Sequence, residues 1–190
     1  MQLIRYINDV PDALKGGVIA LGNFDGLHRG HQAVIRTATK IAQEKGVAVG
    51  VMTFEPHPRA YFQPNQTSFR LSPFRIKCRQ MRIMGVDFLY VQRFNGDFSS
   101  NTADEFVNQF LVDGLDVSHV VTGYDYVFGN KRVGNTEFLK QRGSVSGFGV
   151  TAVDEFRVDA KAQVSSTTIR KFLSEGACPE AANLLGRYWE

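Results

Sequence analysis

The sequence predicts an α/β protein built on a Rossmann-like open parallel sheet with helices on both faces. Three observations carry this reading. Short apolar runs of strand character alternate with segments of helical periodicity, the βαβ rhythm of a parallel sheet. The first of these runs, Val18-Ile19-Ala20-Leu21, passes directly into a glycine-rich turn and then a helix. With 190 residues, 43% of them hydrophobic, the chain can also bury one respectable core.

The elements follow in order. After the Val18 to Leu21 strand, a helix runs from about Gly30 to Lys45, with Val34, Ala38, Ile41 and Ala42 as its apolar stripe. A strand covers Val47 to Phe54. The helix from Pro73 to Met84 starts where Ser72 can cap and Pro73 suits the first helical position, and Gly85 ends it. Phe74, Cys78 and Met81 fall on one face of it; Arg75, Arg79 and Arg82 share another, read as a solvated basic face because no aromatic-rich RNA-binding motif accompanies it. A strand at Phe88 to Val91, a helix at Thr102 to Leu111 and a strand at His119 to Thr122 continue the alternation. Gly123 to Asn135, rich in glycine, aromatic and basic residues, reads as a functional loop at a strand end, where ligands bind in open α/β sheets. Phe138 to Arg142 then reads as a short helix, Val150 to Phe156 as a strand, and Ser166 to Glu175 as a helix stopped by Gly176. No internal repeat or low-complexity linker is present.

Bulk properties narrow the function classes. Lys and Arg outnumber Asp and Glu by 22 to 19, a mild preference for anionic ligands that does not imply nucleic acid. Cys78 and Cys178 match no metal-site spacing and make no disulfide framework, so a reducing cytoplasm is the simpler setting. The amino terminus lacks the apolar core of a signal peptide, and no run of 18 or more apolar residues suggests a membrane span.

The most informative stretch is Gly22-Asn23-Phe24-Asp25-Gly26-Leu27-His28-Arg29-Gly30-His31. A strand that ends in glycines and enters a helix presents unsatisfied N–H groups and the positive end of the helix dipole at the carboxyl edge of a sheet, which is a phosphate site. His28 and His31, with Gly30 between them, add imidazole donors at the same place. Neither a Lys-Ser/Thr P-loop nor a G-x-G-x-x-G follows this strand, so a Walker nucleotidase and a dinucleotide-binding enzyme are both disfavoured. Zinc is weaker still, for want of a third ligand nearby.

The His-x-Gly-His spacing resembles the signature of the nucleotidylyltransferase superfamily, and the longer string resembles the FMN adenylyltransferase (FAD synthetase) module of bacterial bifunctional riboflavin kinase/FAD synthetases. Thr53-Phe54-Glu55-Pro56-His57-Pro58, Gly123-Tyr124-Asp125-Tyr126-Val127-Phe128-Gly129 and Ser165-Ser166-Thr167-Thr168-Ile169-Arg170 are similar to that family's later blocks. The resemblance implies a nucleotidylyltransferase fold over residues 1–187, with 188–190 as a tail. The implied reaction is direct in-line attack of the FMN phosphate on the α-phosphorus of ATP, with release of pyrophosphate and Mg²⁺ accompanying the ATP.

It also implies roles. His28, His31 and Arg170 are the expected catalytic residues. Gly22, Asn23, Phe24, Asp25 and Gly26 form the ATP turn, although Phe24 and Leu27 themselves are expected to fill the core, and Asp25-Gly26 is equally an ordinary turn dipeptide. Ser165, Ser166, Thr167 and Arg170 are expected at the β- and γ-phosphates; the same serines and threonine read as a helix N-cap and first turn, and both readings hold together. Asp125 is expected at a ribose hydroxyl or a Mg²⁺-linked contact, and no dedicated metal cage is indicated. Asn23, Pro56, Pro58, Phe62 and Phe128, with Phe106 as a weaker candidate, are expected at FMN; His57 is as readily a structural hydrogen bond in the loop as a ligand contact. The aromatic share of 12%, including 15 Phe, supplies faces for a flat isoalloxazine ring. The family continues past Leu185-Gly186-Arg187 into a riboflavin kinase barrel, which this sequence lacks, so adenylylation of FMN without phosphorylation of riboflavin is expected. The rivals are transfer to another phosphate acceptor, against which the Pro-His-Pro block argues, and a catalytically silent flavin- or nucleotide-binding module.

Overall fold

In the computed structural model, which describes residues 1–63, 69–157 and 164–190, the strands are β1 (Gln2–Ile4), β2 (Val18–Leu21), β3 (Val49–Glu55), β4 (Phe88–Arg93), β5 (His119–Gly123), β6 (Val127–Phe128), β7 (Gly134–Asn135) and β8 (Gly149–Val153). Six of them form one wholly parallel sheet in the order β1-β4-β3-β2-β5-β8; β6 and β7 pair apart as a short antiparallel hairpin. The chain winds outward from β2 through β3 to β4, then returns to lay β5 against the other side of β2. The loops leaving β2 and β5 therefore diverge at their carboxyl ends and open the crevice where doubly wound sheets bind ligands.

The helices are α1 (Arg29–Lys45), α2 (Pro58–Phe62), α3 (Phe74–Ile83), α4 (Gly96–Ser100), α5 (Ala103–Phe106), α6 (Thr136–Ser146), α7 (Ser166–Ser174) and α8 (Cys178–Leu185). They cover both faces of the sheet. Val18 and Ala20 of β2 pack with Val34, Ile35, Ala38 and Ala42 of α1 and Met81 of α3. Ile19 and Leu21, pointing the other way, join Phe106, Val107, Phe110, Leu111 and Leu139. All four β2 residues are buried, which is why a central parallel strand reads as an unbroken apolar run. A third cluster ties Leu71 to Ile169 of α7 and to Ala181, Leu184 and Leu185 of α8. No helix among the described residues is long and apolar enough to cross a membrane.

Several expectations are corrected in detail. The helix expected from Pro73 begins at Phe74 and Ser72 does not cap it; the Ser72 amide is instead taken by the Asp25 carboxylate at 3.1 Å. The helix expected over Thr102 to Leu111 is one α-helical turn, closed by a reciprocal Thr102–Glu105 capping box, that continues as a π-helical turn over Val107–Val112. α6 is longer than expected because Asn135 caps it and Gly143 lies inside it. A Cβ at 143 would come within 2.4 Å of the Phe148 carbonyl oxygen, so close approach requires a residue that otherwise argues against helix. The strand expected to reach Phe156 ends at Val153. β1, α2, α4 and α8 have no counterpart in the sequence reading.

Candidate active site

The turn after β2 is held from every side through its own backbone. The Asn23 carbonyl accepts from Thr53 Oγ1 and from Lys77 Nζ, both at 3.0 Å. The Asp25 carbonyl accepts from Ser166 Oγ at 2.9 Å, the Gly26 carbonyl from Arg187 Nη2 at 3.0 Å, and the Leu27 carbonyl from Gln32 Nε2 at 2.9 Å. Phe24 and Leu27 adopt positive φ (51° and 43°), costly for residues with a side chain, while both rings and branches lie fully buried. Two glycines make room: a Cβ at 22 would come within 3.0 Å of the Phe24 ring, and Gly26 takes φ +86° against Leu71. The turn is a preorganised frame rather than an adaptable loop.

Asp25 is the bolt of that frame. Its carboxylate accepts from the Leu71 amide at 3.2 Å and the Ser72 amide at 3.1 Å, and forms an ion pair with Arg170 Nη2. Arg170 Nε donates to the Phe69 carbonyl at 2.9 Å. The turn after β2, the segment before α3 and the first turns of α7 are thereby drawn to one point.

The two histidines open α1. His28 is its N-cap: Nδ1 accepts from the His31 amide at 3.3 Å, which places the proton of a neutral ring on Nε2. The rings stack with centroids 3.6 Å apart, and the Phe24 edge meets His31 at 5.3 Å. Burial pushes the His28 ring down to about 4, with Asp25 partly opposing. Burial also drives His31 well below its ordinary value, aided by His28, Lys77 and His57. Both imidazoles are thus neutral donors at pH 7, and the positive potential comes from elsewhere: Lys77, Arg170 and two helix N-termini. In α1 the Arg29 and Gly30 amides have no intrahelical acceptor; in α7, where Ser165 Oγ caps the Thr168 amide at 3.1 Å, those of Ser166 and Thr167 have none.

The opposite wall leaves the end of β3. Glu55 pairs with Arg70 at 2.8 Å and with Lys77 at 3.5 Å, and the chain then turns through Pro56, His57 and Pro58 into α2. His57 caps α2, its Nδ1 accepting from the Arg59 amide at 3.1 Å; burial lowers its ring to about 4, with Asp25 opposing and Lys77, Arg170 and Arg59 assisting. Phe62, on α2, is 64% exposed. From it an aromatic chain runs inward through Phe94 (5.6 Å) and Phe98 (5.5 Å) to Phe106 (6.1 Å) and Phe128 (5.0 Å).

A family described as FAD synthetase matches residues 10–168. The chain belongs to the FAD synthetase family. It is 40% identical over 187 residues to the bifunctional riboflavin kinase/FMN adenylyltransferase of Pseudomonas fluorescens, aligning 98% of this chain with 60% of that protein. It is 42% identical over 170 residues to the protein of that name from Listeria monocytogenes, 89% against 53%. The chain therefore spans between about half and 60% of the length of these curated relatives. A crystal structure of a protein named macrolide-efflux protein, from Streptococcus pneumoniae, superposes with a TM-score of 0.86 at 31% identity over 98% of this chain and 60% of that one. Pantoate-beta-alanine ligase from Francisella tularensis, at 15% identity and a TM-score of 0.56 over 97% of this chain and 86% of that one, shares the fold alone.

In this FAD synthetase family member the expected residues divide clearly. Gly22, Asn23, Asp25, Gly26, His28, His31, Ser165, Ser166, Thr167 and Arg170 converge on the β2 turn; Phe24 is there too, but as core. Asp125 is exposed on the turn after β5, the strand beside β2. Pro56, His57, Pro58 and Phe62 line the wall after β3. Phe106, expected at the flavin, is 2% exposed and closed off by Phe98, Phe110 and Phe128, so its ring presents no surface to a ligand; Phe128 is nearly as deep at 7%. Residues 188–190, read as a tail, are seated: Trp189 Nε1 donates to the Leu71 carbonyl at 2.8 Å and Glu190 pairs with Arg79. Lys77 was missed. Its signal was present, because a lysine three residues after Phe74 and four before Met81 interrupts the apolar face of α3.

Proposed function

We propose that this chain transfers the adenylyl group of ATP to FMN, giving FAD and pyrophosphate, by direct attack of the FMN phosphate on the α-phosphorus. The observation that carries the reading is the pairing, at the switch point of the sheet, of two helix N-termini with two stacked neutral histidines, in a member of the FAD synthetase family. The names of its relatives, which include FMN adenylyltransferase, support the same reaction.

The frame holds both reactants and stabilises charge without a covalent intermediate. The amides of Arg29 and Gly30 and the imidazole N–H groups of His28 and His31 donate to the α-phosphate and to the bridging oxygen as charge builds on it. The amides of Ser166 and Thr167, with the hydroxyls there, take the β- and γ-phosphates. Arg170 uses two of its five N–H groups on Asp25 and Phe69, leaving three for the same oxygens. Asp125 meets the ribose. Asn23, Pro56, Pro58, Phe62 and Phe128 form the flavin side, with Phe106 behind them. Mg²⁺ enters with ATP, compensating the charge of its phosphates. Two free thiols suit a reducing cytoplasm.

The test is chromatography of FAD and pyrophosphate after mixing the purified chain with FMN, ATP and Mg²⁺, with riboflavin plus ATP alongside. FAD and pyrophosphate in equal amounts, formed only where FMN and ATP are both present, are expected. Unconsumed FMN with intact ATP would refute adenylyl transfer to FMN.

A further inference from the structure

Lys77 is an unusual occupant of its position. It lies on the buried face of α3 with its side chain 4% exposed, where an apolar residue would cost far less to bury. Its ammonium reaches two acceptors, the Asn23 carbonyl at 3.0 Å and Glu55 Oε1 at 3.5 Å. Asn23 belongs to the turn that leaves β2, and Glu55 is the last residue of β3, immediately before Pro56-His57-Pro58. One buried cation therefore joins the loop at the ATP side to the loop at the flavin side. Thr53 holds the same carbonyl, and Arg70 holds the other carboxylate oxygen at 2.8 Å, so each acceptor is itself fixed. The Asn23 Oδ1, buried with no hydrogen-bond partner among the described residues, sits on the segment this bracket orients.

We infer that Lys77 is a positioning residue: it sets the two substrate-bearing loops relative to each other, so that the acceptor phosphate meets the α-phosphorus in line. The inference rests on the adenylyl-transfer reading above. A residue that merely filled the core would act on stability; one that registers two reactants acts on turnover, with little effect on how each reactant binds alone. A misplacement of about 1 Å between reactants costs on the order of 10²-fold in rate. The charge has a second reporter, because Lys77 also faces His31 alongside His28 and His57, while Glu55, Asp25 and Arg70 face Lys77.

The experiment compares the wild-type chain with Lys77→Met, which keeps length and removes charge, Lys77→Arg, which keeps charge, and Glu55→Gln, which loosens the bracket from its more exposed end. Arg70 remains beside Glu55 in Lys77→Met, so no carboxylate is stranded. For Lys77→Met, kcat should fall on the order of 10²-fold with KM for ATP and FMN nearly unchanged. Glu55→Gln should show the same kcat-selective loss in smaller measure, and Lys77→Arg should recover part of the turnover. In the ligand-free protein, the His31 ring followed by NMR should titrate at higher pH in Lys77→Met, since a neighbouring cation is gone, and as in the wild type in Lys77→Arg. Turnover within twofold of wild type in folded Lys77→Met and Glu55→Gln, or a loss confined to KM, would overturn the inference. Wild-type chain that makes no FAD would strike the adenylyl-transfer reading instead.

Discussion

Replacing Asp25 by Ala should unfold this site before it affects its chemistry. The Asp25 side chain is 5% exposed and that of Arg170, its partner, 14%. Truncation removes the acceptor of two buried amides, Leu71 at 3.2 Å and Ser72 at 3.1 Å, and strands the guanidinium. Breaking a buried pair by removing one partner costs about 3–5 kcal/mol, and each stranded amide adds about 1–3 kcal/mol unless water reaches it. Because the three donors share one carboxylate, these contributions overlap, and about 4–6 kcal/mol is the reasonable total. Against a typical domain stability of about 5–15 kcal/mol this leaves the fold marginal. Urea unfolding followed by circular dichroism measures it: with a slope of roughly 2 kcal/mol/M, the midpoint should fall by about 2–3 M. Asp25→Asn, which keeps an oxygen for the amides, should lose less. A midpoint shift below about 0.5 M for Asp25→Ala would refute the account of Asp25 as the bolt of the turn after β2.

Three further outcomes follow from the same geometry. On the proposed reading, His31→Ala should lower kcat about 10²–10³-fold in protein that still folds, with some loss of stability because the ring packs against His28 and Phe24; wild-type turnover would exclude it from the reaction. Stability should fall on acidification. The folded His28 ring titrates at about 4 against an ordinary 6.5, so the unfolded chain binds more protons between those values and stability is lost as pH drops through the window. His28 alone should make the fold roughly 2 kcal/mol less stable at pH 5 than at pH 7.5, and His28→Gln should flatten that slope in urea titrations at the two pH values. Gly30→Ala places a Cβ 3.2 Å from His28 Nδ1, so the ring must yield by a few tenths of an ångström. Ala favours helix by about 1 kcal/mol, so the variant should melt no lower than wild type yet turn over about tenfold more slowly, a split that steady-state kinetics and thermal melts resolve together.

Much of the fold was legible because buried parallel strands and amphipathic helices leave local patterns. β2 coincides with the expected Val18 to Leu21, α1 starts one residue early at Arg29, and α7 starts at the expected Ser166. What escaped lacked such a pattern: β1 is three residues long with one of them buried, and α6 hides a glycine that only the Phe148 backbone explains. The aromatic wall shows the same limit. Phe62 and Phe106 are alike in sequence, but one ends an exposed α2 and the other is buried in the core. Asp25 read as a turn residue near ATP because its partners Leu71, Ser72 and Arg170 lie 46, 47 and 145 residues away.

By itself the sequence determined that a strand, a glycine turn and a helix carrying His28 and His31 stand together, because helix N-termini and glycine-permitted turns are local properties of the chain. It also determined the alternation that builds a parallel sheet. Only the tertiary structure decided that β5 returns beside β2 to open the crevice, that Ser166 reaches the Asp25 carbonyl, that the two imidazoles are buried deeply enough to stay neutral, and that Lys77 bridges Asn23 and Glu55. Each of these depends on which distant groups share a low-dielectric space, and burial, desolvation and long-range hydrogen bonding exist only once the chain has closed around them.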